Sequence, residues 1–401
     1  MKKLSSLAVL SLMAISSLFV ACSGDDDNGG GSGDGDGSGE TENTIIVTEN
    51  ITSTDEIWET GKTYILAGRI AVVSGAKLTI QPGVVVKGQA GTGANATALL
   101  VARGATIDAV GAPNLPIVFT SVADEITPEQ IAQGNFASPN LEPTTNGLWG
   151  GVIVLGNARI SASAASVQIE GIPSSDTNGL YGGSNDSDNS GTLKYISIRH
   201  GGANIGEGNE INGLTLGGVG SGTTIENIEV VGNQDDGIEW FGGNVNVSNV
   251  VVWNCGDDGI DTDQSWSGTL DNFAVLSVDG YAFELDGPEG SADYGPHTLK
   301  NGFIRMSSDE ITTDELINTD ENSNVNLQNL YFTDLVEGQI INRINAANVS
   351  FNNIYLDTTT DDLVNRIPEG SAVPSWLHAG TTNTFNGSGL SWTWAKSAGQ
   401  F

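Results

Sequence analysis

From residue 45 onward, short runs of β-branched and apolar residues alternate with turns rich in Gly and Asn, and no stretch carries a convincing amphipathic-helix period. The runs repeat. Thr224-Ile225-Glu226-Asn227-Ile228 returns 22 residues later as Asn246-Val247-Ser248-Asn249-Val250, and 23 residues further on as Thr269-Leu270-Asp271-Asn272-Phe273. The same offsets carry Asp235-Asp236-Gly237-Ile238-Glu239 onto Asp257-Asp258-Gly259-Ile260-Asp261, then onto Gly280-Tyr281-Ala282-Phe283-Glu284. A strand-rich unit of this length cannot bury its apolar face alone, so the repeat predicts a solenoid of stacked coils. Alternation turns Ile228, Val230, Ile238, Trp240 and Val247 inward. Cys255 aligns with Val278 one coil on, which suits a small core hydrophobe better than a nucleophile.

Other coils follow. Gly75 to Ile80 recurs 29 residues later as Gly104 to Ala109, and the Asn before Ile228, Val250 and Phe273 returns as Asn301, Asn329 and Asn353. Coils about 4.8 Å apart let an inward Asn at one turn bond the amide of the next coil. On the ladder Asn227, Asn249, Asn272, Asn301, Asn329 and Asn353 and on the coil period, residues 45–357 resemble the parallel β-helix family of pectin and pectate lyases and polygalacturonases. The resemblance implies an all-β, right-handed, single-stranded parallel β-helix with end caps and long turn insertions. Residues 45–66 are expected to cover the first coil. Trp376, Trp392 and Trp394, in a segment from about 358 to 401, are expected to plug the last.

Ahead of this domain (44–401) stand two other segments. Lys2 and Lys3 precede an apolar stretch, Leu7 to Val20, too short to span a bilayer. Leu18-Phe19-Val20-Ala21-Cys22 resembles a bacterial lipobox, with residues 1–21 as signal peptide and Cys22 as the lipidated mature N-terminus. A plain secretory signal is the alternative. Residues 22–43, rich in Gly, Ser and Asp, are expected to form a flexible tether. Its Ser23-Gly24-Asp25-Asp26-Asp27 start resembles the export signal of Bacteroidetes surface lipoproteins, which implies an outer-membrane lipoprotein facing the exterior. If those aspartates only solvate a linker, the protein faces the periplasm.

Charge narrows the partners. The chain has 15 basic and 49 acidic residues, a net of −34. Such a field repels nucleic acid and anionic lipid, and suits divalent cations, neutral glycans or basic surfaces. The acidic repeat puts Glu239, Asp261 and Glu284 in one outward column, with Asp263 and Asp286 two residues on and Asp235 and Asp257 at the preceding turn. Solvated turn residues are the simplest reading. Calcium ligation by Glu239, Asp261, Asp263, Glu284 and Asp286 is the next. Glycosidase acids drawn from Asp235, Asp257, Asp261 and Glu239 are the third, since the paired aspartates are similar to those of polygalacturonases. That family's Gly-His-Gly and Arg-Ile-Lys are absent, and Asn318-Thr319-Asp320 lies downstream of the pairs.

Trp253, Phe303, Tyr331 and Tyr355 fall at outward positions of successive coils. They form either a platform for sugar rings or a face covered by loops. Arg199, also outward, is a weak candidate for ligand or lyase chemistry and otherwise pairs with a neighbouring carboxylate. His297 and His378 stand isolated. The oxygen-rich loop Asn185 to Gly191 is a turn or a calcium loop. The leading function is binding or scaffolding at envelope glycans. A polysaccharide lyase or hydrolase and a purely structural stalk are the alternatives. Cys22→Ala is expected to abolish fatty-acid labelling and release the chain from the membrane fraction; retained labelling would exclude lipidation at this position.

Overall fold

The computed structural model describes residues 43–204 and 211–401, so Cys22, the leader and the tether up to residue 42 lie outside the described residues. The described chain is a right-handed parallel β-helix. One 15-stranded sheet and one 8-stranded sheet run along it, and every pairing within both is parallel. Successive coils add strands side by side, as in the series Thr224–Val231, Val247–Trp253, Thr269–Leu276, His297–Arg305 and Val325–Thr333.

Register turns the repeat into a core. Ile225, Val247, Leu270, Leu299 and Leu327 are lateral partners in one file, and Ile228, Val250, Phe273, Gly302 and Leu330 in the next. Gly302 has no room for a side chain, because a β-carbon there would meet the Phe273 ring at 2.6 Å. The inward expectation holds for Ile228, Val230, Ile238, Trp240 and Val247, all buried in one continuous cluster with Cys255 and Val278. Each coil thereby removes several large apolar side chains from water, at about 25 cal/mol per Å² buried.

The Asn file is real but sits differently. Asn227, Asn249, Asn272, Asn301, Asn329 and Asn353 all have left-handed backbone, φ between 54° and 60°. Each is the corner at which a long strand bends, with buried residues on both sides of those from Asn227 to Asn329. Asn tolerates this conformation better than β-branched residues do. The side chains from Asn249 onward are half-buried on the outside of the corner instead of facing the core. The amides link Asn272 to Asn249 at 2.8 Å, Asn329 to Asn301 at 3.2 Å and Asn353 to Asn329 at 3.1 Å. Between Asn272 and Asn301 the file breaks, and Asn301 donates to Asp271 instead.

The ends also differ from expectation. Residues 45–66 do not cover the first coil; they form it, in the strands Thr44–Val47 and Glu56–Trp58, and open the second with Thr63–Leu66, which pairs laterally with Thr44–Val47. The far end is closed by Leu363 of the Thr360–Arg366 turn, by Ile367 just after it, and by Trp376, stacked on Phe351 at 4.2 Å. Trp392 and Trp394 are not part of this plug. The chain after residue 380 turns back and lies along the outer flank, where both indoles join a buried cluster with Trp253, Leu276 and Val231, Trp394 edge-on to Trp253 and Trp392 to Tyr195. Their aromatic surface finds an equivalent apolar face away from the end.

Because Asn329 supplies both amide bonds and the corner, Asn329→Val should cost about 1–2 kcal/mol more than Asn329→Gly, the difference being left-handed backbone strain. Urea midpoints measure this, and equal losses would contradict a left-handed corner.

Candidate metal centre

The second sheet presents the acidic repeat on its outer face. Thr215, Glu239, Asp261, Glu284 and Asn318 are successive lateral partners, on strands Leu214–Gly217, Ile238–Phe241, Ile260–Asp263, Phe283–Leu285 and Asn318–Thr319. Earlier coils put Ala71, Leu100 and Ile153 on the same face, and Ile160, Ile169, Ile172 and Tyr181 cover them. That insertion also brings in Glu170, within 3.4 Å of the Asn212 amide.

Asp257 is exposed at its turn, as a solvated turn residue would be, but other acids are withdrawn from water. Asp236, Glu239 and Asp258 are buried, and the carboxylate oxygens of Asp236, Glu239 and Asp261 lie within 4.8 Å of one another. Asp235, Asp236 and Asp257 make a second such group. Turn chemistry explains part of the motif: Asp236 accepts from the Asp258 backbone N–H at 2.9 Å, and Asp258 from that of Tyr281. Gly237 completes it, since a β-carbon there would meet Val252 at 2.4 Å. These bonds leave carboxylate oxygens over.

Burial and like charge push the carboxyls upward together. Burial is the largest cause for Asp236, Glu239 and Asp261, followed by a neighbouring carboxylate in each case. Burial and a hydrogen bond with Glu284 push Asp258 up to about 10. Burial raises Asp263 to about 7, and burial together with Asp320 raises Asp286 to about 6. Among the described residues, no lysine or arginine ion-pairs with Asp236, Glu239, Asp258, Asp261, Asp263, Glu284 or Asp286. Asp261 Oδ1 and Asn212 Oδ1 are buried without a hydrogen-bond donor, and the Asn212 amide N–H donates to Glu239. The result is a set of unsatisfied oxygen ligands on three coils. Hard divalent cations, calcium above all, take such sets and tolerate irregular geometry.

The other candidates are dispersed. Arg199 is fully buried on a different flank, 3.7 Å from Glu229, with the Ser197 hydroxyl bridging them at 2.7 and 2.6 Å. It pairs with a carboxylate and cannot serve as an external base or ligand. Trp253 and Tyr331 are buried, and Phe303 and Tyr355 half-buried. Residues 380–401 cover much of this row, with Trp394 edge-on to Trp253 and Phe385 stacked on Phe303, and Phe136 packs against the same cluster. The four do not form an open platform. Tyr355 lies against His378, the two rings tilted by 30° with centroids 4.9 Å apart. His297 starts a strand and is buried against Trp266. In Asn185 to Gly191, Asp186 pairs with Arg159, and Asp188 and Asn189 cap backbone N–H groups, so the loop is a turn.

Asp236, Asp258, Glu170, Asn212 and Asp320 join the site without having been singled out as ligands. Asp236 and Asp258 were visible in the repeat as the second Asp of each pair. Asn212 stands one coil before Asp236 in the same repeat position, Asn212-Gly213-Leu214-Thr215 against Asp236-Gly237-Ile238-Glu239, whereas nothing in the sequence marks Glu170, which arrives from an insertion.

The architecture defines a right-handed parallel β-helix with an acidic outer column. The chain belongs to the family described as "Pectate-lyase like beta helix domain", whose profile matches residues 49–397. No curated protein and no solved structure matches the chain.

Raised carboxyl groups give a signed pH effect. Without metal, the unfolded chain releases these protons near pH 4, while the folded chain holds them to higher pH. Metal-free stability should therefore fall as pH rises from about 4 through the folded values of about 6 and about 7 for Asp286 and Asp263. Asp261→Asn should flatten that slope. Thermal melts in chelator across this range test it, and a slope unchanged by Asp261→Asn would contradict the coupling.

Proposed function

We propose that the chain is a glycan-binding or scaffolding β-helix of the cell envelope, in which the acidic column holds divalent cations that bridge to anionic polysaccharide. The observation that supports it most directly is the Asp236, Glu239 and Asp261 group, whose oxygens converge within 4.8 Å with no cationic side chain paired to them. Calcium fits because its ligands are oxygens, several carboxylates are present, and Asn212 adds a neutral amide oxygen. A net charge of −34 repels an anionic chain, so a bound cation is what makes anionic glycan a partner. Display on the outer membrane through lipidated Cys22 belongs to the same proposal.

Polysaccharide cleavage is the second reading, favoured by a carboxyl held protonated, Asp258, immediately beside the exposed carboxylate of Asp257. That pairing resembles an acid beside a carboxylate in glycosidases. Elimination with an arginine base has less support, since Arg199 is enclosed elsewhere.

Calcium at 100 times its dissociation constant should stabilise the fold by about 2.7 kcal/mol. The gain should vanish in Asp261→Asn, along with calcium-dependent retention of pectate or alginate. Calcium-independent melting and retention would sink the proposal. Release of reducing ends that is lost in Asp257→Asn would favour the hydrolase.

A further inference from the structure

Among the described residues, every lysine and arginine but one ion-pairs with a carboxylate or donates to a carbonyl of the chain itself. The exception is Arg343. It is half-buried and has neither a hydrogen bond nor an ion pair among the described residues. Its side chain lines a cavity of about 350 Å³ together with Asn345, Ser371, Glu321, Ile344 and Pro368. This cavity adjoins the end of the acidic column. Asn342, the residue before Arg343, donates its amide N–H to Asn318 at 3.1 Å, and Asn318 is the lateral partner of Glu284. Asp320, the residue before Glu321, is hydrogen-bonded to Asp286. Asp261, Glu284, Asn318 and Asn342 lie on successive coils, so Arg343 stands about 14 Å along the axis from Asp261 at about 4.8 Å per coil.

We propose that this cavity is an anion subsite in which Arg343 takes a carboxylate of an acidic polysaccharide directly, without a bridging cation. For the class of ligand the inference rests on the reading above; what it adds is a second, metal-free contact at a fixed distance from the first. Carboxylates are abundant around Arg343, yet none is paired with it. Glu315, the one whose charge it feels, accepts from the Asn318 amide instead. A free guanidinium offers one carboxylate two parallel N–H donors, and such charge-assisted bonds are about twice as strong as neutral ones. Around it, Glu321 accepts from sugar hydroxyls, while Asn345 and Ser371 both donate and accept. Ile344 and Pro368 give a small apolar wall, too little for an acyl chain or an apolar helix. A nucleic acid needs many cations along its backbone, and here there is one. The cavity is at the small end of ligand sites, enough for one charged unit of a longer chain. A ligand that reaches both Arg343 and a cation at Asp261 must carry carboxylates about 14 Å apart. A polyuronate does so and a single acidic sugar does not.

The full chain and its Arg343→Gln and Arg343→Lys variants are passed over immobilised pectate, with calcium and again in chelator, and their melting temperatures are read in both. With calcium, Arg343→Gln should weaken retention tenfold or more while the calcium-induced rise in melting temperature stays that of the parent. Arg343→Lys should recover part of the loss, as a point charge without the fork. In chelator, the weak retention left to the parent should disappear in Arg343→Gln. If calcium supports melting and retention but Arg343→Gln binds like the parent, the subsite is refuted and the cation reading survives. If calcium does neither and the retention in chelator still needs Arg343, the cation reading fails and the subsite stands. Retention that never depends on Arg343, or equal binding of an N-acetylated peptide with a free C-terminal carboxylate, overturns the assignment.

Discussion

Parallel stacking forces each side chain to lie beside its equivalent one coil away, about 4.8 Å along the axis. That constraint rewards some residues and penalises others. Apolar files such as Ile228, Val250 and Phe273 fuse into one core, and amides such as Asn301, Asn329 and Asn353 bond in sequence. Carboxylates gain nothing from the same geometry. Glu239, Asp261 and Glu284 are brought together by a register that the core requires, and burial removes the water that would otherwise screen them. In the acidic column the fold works against its own electrostatics.

The repeat was legible because it depends only on nearest neighbours. Residue pairs aligned by the 22- and 23-residue offsets turned out to be lateral partners, from Ile225 and Val247 to Glu239 and Asp261. Whether an outward residue meets water or protein is a different matter, since alternation gives direction and not cover. Trp253 and Arg199 point outward as expected, yet Trp394 covers both, with the Arg199 guanidinium 5.1 Å from its ring. Residues 380–401 have no periodic counterpart, so their place along the flank could not be read from spacing. Asn212, Asp236 and Asp258 are buried by their equivalent places at the turns of stacked coils, while Glu170 enters the site from outside the repeat.

Two flanks thus acquire distinct chemistry from one architecture. On one, an insertion seals the apolar coils and the acidic coils that follow retain oxygen atoms without donors. On the other, the returning segment converts a row of aromatics into a secondary core. The β-helix supplies a rigid axis, and departures from its repeat decide what each face can hold.

Anomalous diffraction from crystals grown with calcium, or with a lanthanide in its place, examines the acidic column most directly. An ion peak should stand between Asp236, Glu239 and Asp261, with carboxylate oxygens about 2.3–2.6 Å away. Carboxyl groups paired only with one another, and no peak at saturating metal, would show that protons alone relieve the column.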